Sequence, residues 1–339
     1  MSQPPAPATP PVALVCFNRP DLVTRVLDAV RAAAPADLFV IGDGPRPDRP
    51  DDAARCADVR RVVAEQVDWP CTVHTRWSET NLGCEQNVER GLDWVFGQVP
   101  AAVVLEDDCV PDPSFFPYAA ELLDRYADDE RFMMVSGTLF EVDPESFGDA
   151  SYGLTTFSIT WGWATWARAW QRHRAMFPRD WQTLRPGQAD PGAPLRVAST
   201  EPAPGALATR AAGRYFAEVA RSRGQEFGWD SHWFLSQVVC GALAVAPATN
   251  VVHNAGFGDE ATHTQSERVM PAAEPITFPL RHPAVVERDV ALQRGLELGL
   301  VRTNGRLART VRRLVPQGRL RTVLRAVAGR VITSRSRAR

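Results

Sequence analysis

The strongest constraint on the fold is an alternation, across residues 12–135, between apolar runs of strand length and apolar residues at helical spacing. Val12 to Phe17 is such a run. After the turn Asn18-Arg19-Pro20, residues Leu22, Val23, Val26, Leu27 and Val30 recur on one face of a helical period. Leu38 to Ile41 repeats the strand signal and ends in Gly42-Asp43-Gly44-Pro45, a loop by composition. Thr72 to Thr75 is a third strand candidate, and Asn81-Leu82-Gly83 opens a helix carrying Val88, Leu92, Val95 and Phe96 on one side. Ala101 to Leu105, a helical stretch from Phe115 to Tyr126, and Phe132 to Val135 continue the pattern. Strands alternating with helices predict an α/β fold, Rossmann-like, with a mostly parallel sheet flanked by helices. Ligands of such sheets bind beyond the carboxyl ends of the strands, so the polar residues just after each strand are the candidates for function.

The second half is less regular. It holds a Trp-rich stretch from Trp161 to Trp170, a Pro/Ala/Gly-rich stretch near residues 186–205 that reads as a loop, and a helix over Asp230 to Val239. A short strand at Leu243 to Val245 and a Gly-rich segment from His253 to His263 follow. The chain carries 38 Arg, no Lys and 40 acids, but 12 of those Arg and none of the acids lie from Gly299 onward. The body before it therefore has 26 Arg against 40 acids, a net charge of −14. In the tail, Leu307, Val311, Leu314 and Val315, then Leu320, Val323, Leu324 and Val327, share helical faces among arginines. A basic amphipathic helix pair suits an anionic membrane surface, each basic residue contributing about 1 kcal/mol there. These features divide the chain into a leader (1–10), a first half (11–140), a second half (141–298) and a basic tail (299–339).

No apolar run approaches the roughly 18 to 20 residues that span a bilayer, and the Pro/Ala-rich start lacks the basic and apolar regions of a secretion signal. Six scattered cysteines without C-x-x-C pairs fit a reduced, cytoplasmic protein, held peripherally on the inner face of the membrane if its tail binds there. No nucleic-acid partner is expected.

Glu106-Asp107-Asp108 is the most informative motif, because three acids directly after a buried strand repel one another unless a cation sits among them. An oxygen-only donor set suits Mg2+ or Mn2+, which keep open positions for substrate phosphates. The plainer account is a solvated acidic turn. Arg19 and Asp43 follow the first two strands on the same rim, where Arg19 suits a diphosphate and Asp43 a ribose or nucleobase, although either could be a helix cap or turn residue. Neither the P-loop nor the G-x-G-x-x-G pattern is present, which weakens nucleotide-hydrolase and dinucleotide-dehydrogenase readings. Asp230, between Trp229 and Trp233 at an expected helix start, suits a general base with a raised pKa, or a plain N-cap. Trp161 and Trp163 offer faces for stacking on sugar rings or simply core. His263 is a weaker candidate for a metal or phosphate contact.

Taken in order, Asn18-Arg19-Pro20, Asp43-Gly44-Pro45, Asn81-Leu82-Gly83-Cys84, Leu105-Glu106-Asp107-Asp108, Trp161-Gly162-Trp163-Ala164-Thr165-Trp166 and Asn254-Ala255-Gly256-Phe257-Gly258 resemble bacterial GT-A glycosyltransferases related to family 2. The resemblance covers roughly residues 11–280 and extends, more distantly, to N-acetylglucosaminyltransferase I. It implies a GT-A fold with a nucleotide-sugar-binding first half and a Trp-rich acceptor-binding, catalytic second half. It also implies Arg19 on the donor diphosphate, Asp43 on uracil, Glu106 and Asp107 at the ribose and metal, and Asp108 on Mn2+. Asp230 in Trp229-Asp230-Ser231-His232-Trp233 would be the base, with a loop containing Gly256, Gly258 and His263 over the donor. The implied activity is metal-dependent, inverting transfer from a UDP-sugar to a hydroxyl of a glycan or lipid-linked acceptor. Two rivals are a sugar nucleotidyltransferase, which would carry a Gly-rich basic loop where Asn18-Arg19-Pro20 stands, and a non-enzymatic carbohydrate- or membrane-binding protein, which leaves the acidic triplet unexplained.

Overall fold

A computed structural model describes residues 8–139, 142–177, 202–222, 227–256 and 272–304. Its strands are β1 (Val12–Cys16), β2 (Asp37–Gly42), β3 (Thr72–Trp77), β4 (Ala101–Glu106), β5 (Cys109–Pro111), β6 (Phe132–Ser136), β7 (Tyr152–Thr155), β8 (Trp163–Trp166), β9 (Leu243–Pro247) and β10 (Val252–Asn254). The helices are α1 (Pro20–Ala33), α2 (Asp52–Gln66), α3 (Cys84–Phe96), α4 (Phe115–Arg125), α5 (Ala167–Met176), α6 (Arg210–Ser222), α7 (Trp229–Cys240) and α8 (Val290–Asn304).

Eight strands form one sheet in the order β3-β2-β1-β4-β8-β6-β9-β7, while β5 and β10 pair separately as an antiparallel ribbon. β3, β2, β1 and β4 are mutually parallel, and β6 with β9 is parallel too. The antiparallel members are β8, wedged between β4 and β6, and β7 on the edge beside β9. The mostly parallel α/β sheet expected from the alternation is therefore present.

Alternation along each strand divides the core. In β1, Ala13 and Val15 face a layer containing α3, α5, α6 and α7, while Val12, Leu14 and Cys16 face α1, α2 and α4. The period-2 side-chain rule thus splits five consecutive apolar residues between two cores, which is why the strand reads as an unbroken hydrophobic run. Gly91 of α3 lets that helix lie directly on β2, since a methyl group there would meet the Ile41 side chain.

Several expectations change. The boundary placed at 140/141 crosses a single sheet, because β8 from the second half sits between two strands of the first. The start of the tail at 299 falls inside α8, whose Leu296, Leu300 and Val301 are buried in the core. Residues 305–339, with the amphipathic faces expected there, lie outside the described residues, as do residues 1–7. Among the described residues no helix is long and apolar enough to cross a membrane.

Candidate active site

Strand order reverses direction of winding at β1, with β2 on one side and β4 on the other, and this is where open α/β sheets take ligands. Chain leaving β1 supplies Phe17, Asn18 and Arg19, and chain leaving β4 supplies Asp107 and Asp108. The Arg19 guanidinium bridges the two acids, pairing closely with Asp107 and meeting Asp108 Oδ2 at 3.0 Å. The other Asp107 oxygen accepts from the Phe17 amide at 3.3 Å, so the two strand-end loops are tied together through one carboxylate. Asp107 is buried, whereas Arg19 and Asp108 keep 18% and 14% of their side chains exposed, enough to meet a ligand. Burial, with repulsion from Asp108 and Asp107, pushes the Glu106 carboxyl above its ordinary range. Burial also raises Asp107, against the opposing pull of Arg19. One guanidinium does not balance three acids in this cleft.

Asp43 has a different place from the one expected. Its Oδ1 accepts from the amides of Gly44 (2.9 Å) and Leu82 (2.8 Å), and its Oδ2 from Asn81 Nδ2 (2.9 Å) and the Gly83 amide (3.0 Å). Four donors fill the lone-pair sites of a carboxylate, so Asp43 holds the loop before α3 and has no acceptor left for a nucleobase. Beside it, Asp52 anchors the loop after β1 by accepting from Asn18 Nδ2 at 2.7 Å, and pairs with Arg46 Nε at 2.6 Å. The Arg46 hydrogen bonds hold the Asp52 carboxyl down at about 2.

The β5–β10 ribbon places Asn254 opposite Cys109 and brings the following residues against Asp108. The Ala255 amide donates to the Asp108 carbonyl at 2.7 Å, and the Gly256 amide to Asn254 Oδ1 at 2.8 Å. A methyl group at Gly256 would collide with the Asp108 carboxylate, so only glycine lets the backbone pass this close. Among the described residues no three His, Cys, Asp or Glu side chains are gathered as an all-protein metal site. Mg2+ and Mn2+ do not need one, since one or two carboxylates plus substrate phosphates suffice. The acids in excess of the single Arg19 charge, with their oxygen-only donors, fit such an ion. Gly258 and His263 lie outside the described residues.

Asp230 is the second residue of α7, not its cap; the cap position is Gly228. Its Oδ1 accepts from the Ser231 amide at 2.7 Å, and burial raises its pKa. Its charge is among those that raise the Glu106 carboxyl and the Cys84 thiol, so it lies within electrostatic reach of the acidic triplet. Trp163 corrects another expectation. It is 1% exposed and packed against Trp229 and Trp233, with ring centroids 5.9 and 5.2 Å away, so it cannot stack on a sugar. Trp161 is half-buried and keeps an open part, while its carbonyl accepts from Thr138 Oγ1 at 2.5 Å.

Three further residues belong to this site. Asn254, which holds Gly256, opens the Asn254-to-Gly258 motif but had no role of its own there. Glu85, one residue past the Asn81-to-Cys84 motif, contacts His232, and His232 entered only as a neighbour of Asp230.

The profile of glycosyl transferase family 2 matches residues 12–183, the stretch that builds β1 to β8 with Arg19 and the acidic triplet. Comparison with curated proteins gives no match. Among solved structures, a mannosyltransferase from Pyrobaculum calidifontis, in complex with GDP-Man and Mn2+, aligns at 14% identity and a TM-score of 0.35, covering 52% of this chain and 53% of its own. A UDP-glucose pyrophosphorylase complexed with UDP-glucose aligns at 8% identity and a TM-score of 0.27, covering 44% of this chain and 64% of its own. The chain thus spans about half the length of the first of these and under two thirds of the second.

Proposed function

The chain belongs to glycosyl transferase family 2, and from that premise we propose that it moves a sugar from a UDP-sugar to a hydroxyl of a glycan or lipid-linked acceptor, with inversion at the anomeric carbon. The observation that carries this reading is the Arg19–Asp107–Asp108 cluster at the winding reversal, with the raised Asp230 carboxylate in the same cleft. Asp107, pinned by the Phe17 amide, orients the Arg19 guanidinium. Arg19 is then aimed at the donor diphosphate, where a bidentate guanidinium binds phosphate oxygens well.

Asp108, with Glu106 behind it, would hold Mn2+ or Mg2+, and such an ion supplies positive charge to the leaving diphosphate. The acceptor oxygen forms its bond to the anomeric carbon as the bond from that carbon to the diphosphate oxygen breaks. The electron pair of the broken bond leaves with the nucleoside diphosphate, and the acceptor proton passes to Asp230. A carboxylate whose pKa is raised by burial is a better proton acceptor than a solvated one. It must also be separate from the acids that meet the leaving group, and Asp230 comes from a different element, α7.

Melting curves with a panel of UDP- and GDP-sugars, with and without Mn2+, test the donor half of this reading. A ligand at 100 times its Kd adds about 2.7 kcal/mol of stability. Stabilisation by a UDP-sugar is expected to require Mn2+ and to disappear in Asp108→Ala. Equal stabilisation of that variant would remove Asp108 from the metal site. Release of nucleoside diphosphate, without exchange of pyrophosphate into the donor, separates transfer from sugar nucleotidyl chemistry.

A further inference from the structure

We propose that Glu85 and His232 are a positioning pair that registers Asp230 to the Asp43-anchored loop before α3. This rests on Asp230 being the base. The α7 start is not fixed locally: Gly228 caps it without a side-chain hydrogen bond, and the Asp230 carboxylate takes its hydrogen bonds from the adjoining Ser231. The rotation and height of this first turn must therefore come from neighbouring elements. His232 Nδ1 meets Glu85 Oε1 of α3 at 3.2 Å, while Ser231 Oγ meets the Tyr215 hydroxyl of α6 at 2.9 Å. His232 is fully buried and packs on Phe177, with ring centroids 5.3 Å apart. Two residues along a helix turn the side chain by roughly 200°, so His232 projects from the side of α7 away from Asp230 and positions the helix through Glu85, while the charges of both residues also reach the Asp230 carboxyl.

The other end of the link is the loop before α3 that the Asp43 carboxylate holds. The N-terminus of α3 also has no side-chain cap; its preceding residues Leu82 and Gly83 give their amides to Asp43 at the end of β2. Glu85 stands two residues further on. A continuous series of contacts thus runs from Asp43 through Gly83 and Glu85 to His232 and the turn holding Asp230, joining the two sides of the cleft. Packing of α3 on α5 has its own buried ties: Arg174 meets Glu89 Oε2 at 2.9 Å and Asp93 Oδ1 at 3.1 Å. Because those remain, and because the Glu85 side chain is 27% exposed, removing it leaves the fold in place.

The test is a double-mutant cycle between Glu85→Ala and Asp230→Asn. The assay is Mn2+-dependent turnover of the nucleotide sugar, taken from UDP-N-acetylglucosamine, UDP-glucose and GDP-mannose, that stabilises the protein most, with water as acceptor. Glu85→Ala is expected to keep its melting temperature and donor Kd, to lower kcat by about 10- to 100-fold, the cost of a misplaced reacting group, and to recover most of that loss as Glu85→Gln. His232→Asn, which keeps a polar side chain in the buried site, should show the same split between kcat and donor Kd. In the Asp230→Asn background the Glu85 substitution should cost nothing further. Wild-type kcat in Glu85→Ala beside an inactive Asp230→Asn overturns the pair and leaves the base standing. An undiminished Glu85 effect in the Asp230→Asn background also overturns it. Wild-type turnover by Asp230→Asn removes the base and the pair with it.

Discussion

The two sides of the cleft are built on opposite principles. On the donor side, charged groups are held by opposite charges or by a full set of amide donors: Arg19 by Asp107 and Asp108, Asp52 by Arg46, and Asp43 by four amides. On the base side, among the described residues, the Asp230 carboxylate takes its hydrogen bonds from Ser231 and sits on a helix embedded among Trp163, Trp229 and Trp233. A pre-formed ionic frame suits a ligand that arrives with a diphosphate, since its dipoles and charges need not reorganise when charge develops. A partly desolvated carboxylate suits proton transfer, because desolvation makes its charged form more basic. Asp107 shows that burial alone does not make a base, because the same desolvation acts there with a guanidinium committed to it.

The contrast breaks most visibly at Asp230. Asp230→Asn is expected to slow transfer by about 10²- to 10⁴-fold while donor Kd, read by titration calorimetry, stays within a factor of two or so of wild type. A parallel loss of donor affinity would place Asp230 in the ionic frame instead. Next in size is the packing of the base side. Trp163→Ala should cost about 3–5 kcal/mol in chemical denaturation, whereas Trp161→Ala, with a half-buried ring, should cost clearly less and act on acceptor KM. Equal stability losses would make Trp161 another core residue.

Gly256→Ala probes the donor frame with a single methyl group, directed at the Asp108 carboxylate. Mn2+ affinity, followed by electron paramagnetic resonance in the presence of nucleoside diphosphate, should weaken by about 10- to 100-fold, as when a supporting residue of a metal ligand is disturbed. Unchanged affinity would show that the backbone at Gly256 yields freely. The smallest effect is one of pH. With the Asp52 carboxyl at about 2, below the ordinary carboxylate value, its contribution is complete above pH 5 or so and is lost as pH falls toward 2. The stability difference between wild type and Asp52→Asn should therefore shrink over that window by about 1–2 kcal/mol. A difference independent of pH would mean that the Arg46 pair is screened away.

Much of this frame was legible because it is local. Strand-length apolar runs at Val12, Leu38 and Ala101, each ending in polar residues, place Arg19, Asp43 and the acidic triplet on one rim. The anchoring role of Asp43 was not legible because its partners Leu82 and Gly83 lie about 40 residues downstream, and backbone amides leave no trace in a sequence. β8 was hidden for another reason. Trp163 and Thr165 face one core while Ala164 and Trp166 face the other, so tryptophan on both faces erases the polar alternation that marks a strand. α2 escaped because its buried face comprises Asp52, Cys56, Val59 and Val63 among arginines and acids, too thin an apolar stripe to stand out. Glu85 and His232 meet across 147 positions of chain, beyond the reach of any local pattern.

The place of β8 in the sheet bears on how the chain is made. β4 pairs on one side with β1, already synthesised, but its other edge waits for Trp163–Trp166. β6 has neither neighbour when it emerges from the ribosome: β8 follows it by about 30 residues, and β9 completes its far side only at Leu243. A nascent chain that has reached residue 160 therefore presents two apolar strands with unpaired backbone edges, the arrangement most prone to wrong pairing between chains. The yield of folded protein should therefore depend on translation speed between β6 and β9 and on the chaperones met there.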